Sequence, residues 1–253
     1  MTEDQWNSFC DFKKAFKKKV AGWQTQLPEL SQLQKEAARL ANTPEYPFET
    51  PVVYNRALDD LTPQDDIKLI VIGDNPGKDE QLAKNNRYLV GLAGKIAEGY
   101  FRNNPELGVD FRKNVIILNK TPVHSAKTNQ LKTIIKQGGP AAAKLIQESQ
   151  VWMAEKTAAL HKALGTEIWL VGYSELKDKG LFALYRDTLK AALAEDSEAW
   201  RRVYVFQHFS MNRFTIDLSD YIKAGKKEKA PLESNIHELG LLHRNEIFGP
   251  MLE

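Results

Sequence analysis

The chain has 253 residues, 42% hydrophobic and 27% charged, and 35 Lys and Arg against 33 Asp and Glu leave a formal net charge of +2. This is a globular composition, enough for one large α/β domain with helical additions; it excludes disordered and collagen-like classes, and the charge is too mild to name nucleic acid as a partner by itself. A single cysteine, Cys10, excludes an internal disulfide and a thiolate metal or iron–sulfur site, and five scattered histidines without an HxxxH pair give zinc little support, so no metal and no cofactor are expected.

The N-terminus, MTEDQWNSFCDFKKAFKKK, begins with acids and has no uninterrupted apolar core. No later segment approaches a membrane span, so the sequence predicts a soluble, cytoplasmic protein. Trp6 to Trp23 and Pro28 to Ala41 read as helices, followed by an irregular connection over 42–63 that carries Pro44, Pro47, Pro51 and Pro63. Four apolar runs then follow: Ile67 to Ile72, Val115 to Leu118, Ile168 to Val171 and Val203 to Phe206. None alternates with polar residues, which predicts strands covered on both faces. Helical patterns separate them at Val90 to Phe101, Ala141 to Leu164 and Leu181 to Leu193. A short helix near Ile216 to Lys223, the linker AGKKEKAP and a last helix from Leu232 complete the chain. The order predicts a three-layer αβα fold around a central four-stranded, mainly parallel sheet, with N-terminal helices added. Three units are expected: an extension at 1–63, the α/β domain at 64–223 and a C-terminal linker and helix at 224–253. Two lysine clusters, Lys13 to Lys19 and Lys223 to Lys229, read first as solvated faces.

Ligands of an open parallel sheet sit beyond the carboxyl ends of its strands, and those ends read DNPG, NKTPVHS, GYSEL and QHFSMN. Asn75, Asn119 and His208 therefore reach one edge from three distant segments. Each alone is ordinarily a turn former or a satisfied core residue. Together they offer amides that can read a base edge and an imidazole that can stabilise a developing anion. Before Pro76, Asn75 is steered away from helical backbone, and Gly77 frees the next turn, so the loop is suited to hold one side chain at the mouth of the sheet.

GDNPG after the first strand, NRYLVGLAGK opening the next helix, VIILN, IWLVGYSEL and QHFSMN together resemble the uracil-DNA glycosylase superfamily, in the same order and at similar spacing over roughly Ile67 to Asn212. The Asn before Pro-Gly is similar to the mismatch-specific and single-strand-selective branches, and VGLAGK to the thermostable branch, whose iron–sulfur cluster one cysteine cannot build. Phe209 stands where that family's last motif usually has proline. The resemblance implies a monofunctional DNA N-glycosylase for uracil or a related damaged base, acting on single-stranded or damaged DNA in base-excision repair, as a monomer without a membrane association.

Such an enzyme flips the nucleotide out of the stack and stabilises the departing base as an anion. The resemblance makes His208 the neutral donor to that anion and Asn75 the group that orients water, with slower chemistry than a carboxylate there would give. Asp74 is a candidate base or a turn carboxylate. Asn119 would read the base edge, in a pocket that includes Gly73, with Leu89 and the adjacent Tyr88 at the stacking position. Gly91, Gly94 and Lys95 are candidates for a phosphate, or for close packing; Ser210 and Arg213 would hold the strand. Met211, Asn212 and Arg213 occupy the wedge position, and Phe214 is a second wedge candidate or a core residue. Two rivals stand beside this: a non-catalytic nucleic-acid binder of the same fold, and an unrelated nucleotide-binding α/β enzyme, which lacks a GxxxxGK[ST] or GxGxxG signature here.

Overall fold

The computed structural model describes residues 1–249. Four short strands, β1 (Leu69–Gly73), β2 (Val115–Asn119), β3 (Glu167–Val171) and β4 (Val203–Phe206), form one all-parallel sheet in the order β2-β1-β3-β4. Every residue of β1, β2 and β4 is buried, which is why their sequences run apolar without alternation. Strands are added to one side of β1 and then to the other, so the order of winding reverses between β1 and β3, and Gly73 lies in register with Asn119. The residues that follow these strands therefore meet at the switch point of the sheet.

α1 (Glu3–Gln26) is opened by Thr2, which accepts the Gln5 N–H while the Gln5 side chain accepts that of Thr2. Phe9, Phe12, Phe16, Val20 and Trp23 recur at helical spacing and are buried. They face α4 (Gln130–Leu164), which also packs against α2 (Leu30–Leu40) and α5 (Ala183–Leu193). α4 starts eleven residues before the predicted Ala141 and bends at Gly139, whose φ of 59° is left-handed. Pro140 then opens the second half, so the Gly-Gly-Pro that reads as a break is a kink between two helical stretches.

The other face carries α3 (Leu92–Asn103), α7 (Arg213–Gly225) and α8 (Leu232–Phe248), with the short α6 (Ser197–Arg201) leading into β4. Phe101 of α3 and Phe214 of α7 lie against Trp169 of β3, at 5.4 and 5.8 Å between ring centroids. α8 lies on β4, close enough that a Cβ at Gly240 would stand 2.7 Å from Phe206 and Tyr204. Both terminal segments, including Phe9, Phe16, Ile236 and Leu239, share one hydrophobic core with the sheet. No helix among the described residues is long and apolar enough to cross a membrane.

Candidate functional site

At the end of β1 the chain places Asp74, and at the end of β2 it places Lys120, whose side chain is 0% exposed. Lys120 Nζ donates to Asp74 Oδ1 at 2.6 Å, to the Val171 carbonyl of β3 at 2.6 Å and to the Gly73 carbonyl at 3.4 Å. Three acceptors match the three donors of an ammonium, and the Phe182 ring lies 5.1 Å from Nζ. Burial lowers the lysine pKa while Asp74 raises it; the donor count makes the charged form the one this cage fits. Thr128 donates to the second oxygen, Asp74 Oδ2, at 3.3 Å. Gly172, with φ of 98°, clears the space: a Cβ there would lie 2.3 Å from Asp74 Oδ1.

A cleft of about 530 Å³ opens at this edge, with Asp74, Gly172, Gln207, His208 and Arg213 in its wall. His208 follows β4, and its Nδ1 accepts the Ser210 N–H at 3.0 Å and lies 2.7 Å from Ser210 Oγ. A ring nitrogen that accepts from a backbone N–H carries no proton, so the proton of neutral His208 is on Nε2. Burial, aided by the charge of Lys120 and opposed by Asp74, holds His208 below the ordinary histidine pKa. Asp74 and His208 thus supply an acceptor and a donor to one space. Glu175, Asp217 and Asp220 also line it, so much of its wall is acidic.

Asn75 is not in this wall. Its Nδ2 donates to Ser125 Oγ at 2.9 Å and to the Ser125 and Pro76 carbonyls at 3.1 Å, so the amide ties the loop down. His124 fixes the same loop from behind. Its Nδ1 bonds the Pro76 carbonyl at 2.9 Å and its Nε2 lies 3.0 Å from Tyr46 Oη; burial pushes its pKa down to about 4. Asn119 is 2% exposed, sits against Gly73, and has no partner for its Nδ2. An amide with a spare buried donor retains the capacity to meet an acceptor, but it does not line the cleft.

Several sequence expectations are corrected. Tyr88 is buried and its hydroxyl donates to the Val53 carbonyl at 2.6 Å; it faces a separate cavity beside β2, together with Lys95. Leu89 is buried with φ of 50°. Neither presents a surface for stacking in the cleft. A Cβ at Gly94 would meet the Leu89 carbonyl oxygen at 1.5 Å, so that glycine serves close packing. Gly91 lies beside the Asp79 carboxylate, and Glu80 accepts the Gly77 N–H at 2.9 Å. The Asp79 carboxylate thus occupies the approach to α3 that Gly91, Gly94 and Lys95 were expected to offer a phosphate. Phe214 is core, not wedge, and Phe209 is fully buried in place of the family's proline. Met211 is 75% exposed beside the cleft; it and Asn212 hold φ of 55° and 58°, a strained backbone that keeps an apolar side chain in solvent.

Lys120, Thr128, Ser125 and Gly172 were not singled out from the sequence. The lysine had one legible signal, its place immediately after the apolar run VIILN. Among the described residues, no group of three or more His, Cys, Asp or Glu side chains is placed to hold a metal ion. No family model matches the chain, and neither a curated protein nor a solved structure matches it.

Proposed function

We propose that the protein is a glycosylase-like hydrolase that holds a damaged or deaminated nucleotide in this cleft and cleaves its N-glycosidic bond. The supporting observation is the convergence of Asp74 and the Nε2–H donor of His208 on one cleft at the switch point of the sheet. Asp74, rather than Asn75, orients the attacking water and takes its proton through the oxygen that Lys120 leaves free. As the water oxygen bonds to the sugar carbon, the glycosidic bond breaks and its electron pair leaves with the base. His208 donates a hydrogen bond to the base oxygen where that charge accumulates. Ser210 fixes the imidazole, Arg213 at the rim meets a phosphate, and Met211 fills the stack that a flipped nucleotide leaves.

The test uses oligonucleotides carrying uracil, hypoxanthine, xanthine or a thymine mismatch, scored for alkali-labile abasic sites. His208→Ala is expected to fold, to bind abasic DNA nearly as well as the parent and to release base about 100- to 1000-fold more slowly, the usual effect of removing one such donor. Parental turnover in a stable variant overturns the assignment. A parent that binds abasic DNA and turns over no base supports instead the non-catalytic binder.

A second reading has its own observation. Glu175, Asp217 and Asp220 surround the cleft with only Arg213 opposing them in its wall, which suits sugar hydroxyls better than a run of phosphates. It assigns the same cleavage to a free nucleoside. Salt separates the two: DNA binding weakens steeply between low and moderate salt, whereas cleavage of an uncharged nucleoside does not.

A further inference from the structure

We propose that Lys120 is a positioning residue that assigns the roles of the two groups in the cleft: by pinning Asp74 Oδ1 it keeps that carboxylate for water and prevents it from becoming the ion-pair partner of His208. The inference rests on the assignment of Asp74 and His208 given above. Its basis is geometric. Lys120 is wholly buried, lies on the side of Asp74 away from solvent, and is bonded to three acceptors drawn from β1 and β3. A cation so enclosed cross-ties strands, and it holds one oxygen of a carboxylate that shares the cleft wall with His208.

The charged groups around His208 come from five segments, among them α4, whose Lys132 pairs with Glu175 at 3.7 Å. Asp74 comes from the end of β1 and Lys120 from the end of β2; Glu175 lies in the turn after β3, and Arg213, Asp217 and Asp220 lie on α7. Asp74 favours a cationic imidazole and Lys120 opposes it. With Lys120 present, the carboxylate is already neutralised at 2.6 Å, and the Ser210 N–H leaves His208 a single proton, on Nε2. Without it, Asp74 becomes an unneutralised anion in the wall it shares with His208, and the ring, giving up the Ser210 N–H bond at Nδ1, would turn to form an aspartate–imidazolium pair. That pair would lack a free carboxylate for water.

A purely structural cross-tie predicts loss of stability alone, so the test reads the imidazole. Nitrogen-15 NMR of the parent is expected to show His208 as the neutral Nε2–H tautomer, titrating below the ordinary histidine value. In Lys120→Met that titration moves to higher pH, while kcat falls about tenfold or more, short of the loss expected for the acid–base group itself, and KM holds. A His208 titration unchanged in folded Lys120→Met overturns the proposal. Where Lys120→Met does not fold, Asp74→Asn decides: it keeps the lysine and removes the carboxylate, so the titration must fall below the parent's, and one that stays or rises overturns the proposal. A parent with the expected His208 titration and no turnover on any base removes the glycosidic assignment while leaving the electrostatic relation between Lys120 and His208 standing.

Discussion

On the α4 flank, Trp152 receives Phe16 and Trp23 at 5.7 Å and Phe12 at 6.2 Å, and Tyr54 closes on Phe16 at 5.4 Å. At the strand ends, a similarly buried volume is filled by Lys120, Asp74 and the backbone carbonyls they meet. The first region is held by shape and apolar area, which tolerate substitutions that keep volume. The second is held by charge matched to charge, where removing one partner leaves the other stranded while removing both can be nearly neutral. The difference separates what the fold needs from what the cleft needs.

The largest effects test that separation directly. Phe16→Ala, at a position with no exposure, is expected to cost about 3 to 5 kcal/mol in denaturant unfolding while turnover per folded molecule holds. Asp74→Asn is expected to cost a comparable amount, about 3 to 5 kcal/mol, and to abolish turnover as well. Adding Lys120→Met to Asp74→Asn should restore much of the stability and none of the activity. Additive losses in that cycle would mean the pair is not the coupled unit its geometry implies.

Next in size is Glu80, whose pKa burial raises to about 7. A carboxyl with a raised folded pKa contributes fully below its unfolded value near 4.5 and loses that contribution as pH rises through 7. Between pH 5 and 8 the parent should lose about 2 to 3 kcal/mol relative to Glu80→Gln. Parallel stability curves would show that Glu80 does not titrate in this window. His124 works oppositely: its contribution is present above 6.5 and is lost as pH falls towards about 4.

Asn75→Asp is a smaller change, in the loop beside the cleft. From sequence, a carboxylate there promises faster chemistry. The structure sets the amide nitrogen against two carbonyl oxygens and the Ser125 hydroxyl, whose proton goes to the Lys127 carbonyl, so Asp would face two acceptors and could gain a donor only by breaking that bond, costing about 1 to 3 kcal/mol in thermal unfolding with no gain in rate. A faster enzyme would return Asn75 to the mechanism. The smallest change in stability is expected from Met211→Ala, within about 0.5 kcal/mol, since the side chain stands in solvent. Its effect belongs in duplex binding, which should weaken while single-stranded binding changes less. Equal binding of both would end its role as a wedge.

The strands were legible because burial on both faces writes itself as an unbroken apolar run, and the parallel order follows from helices between such runs. The first half of α4 was not, since Gly138-Gly139-Pro140 carries every local mark of a terminus and only packing against α2 continues the helix beyond it. In the site, His208 could be found because it needs only its own strand end. Lys120 could not: a lysine after a strand is ordinarily solvated, and its burial depends on Asp74, Val171 and Phe182, contributed by three other segments. Tyr88 misled for the converse reason, an aromatic adjacent to the motif position at Leu89 whose hydroxyl is claimed by Val53.

The position of α8 has a bearing on how the chain reaches this state. β4 is an edge strand, and its inner partner β3 cannot supply the cover that α8 gives to Tyr204 and Phe206. During synthesis the sheet and the cleft residues emerge first, but that apolar surface stays open until residues 232–248 have left the ribosome. A nascent or truncated chain ending in the linker would carry a nearly complete site on an unfinished fold, with an uncovered apolar sheet face of the kind that recruits other chains. Commitment to the native state is therefore expected late, with aggregation as the competing fate of shortened chains.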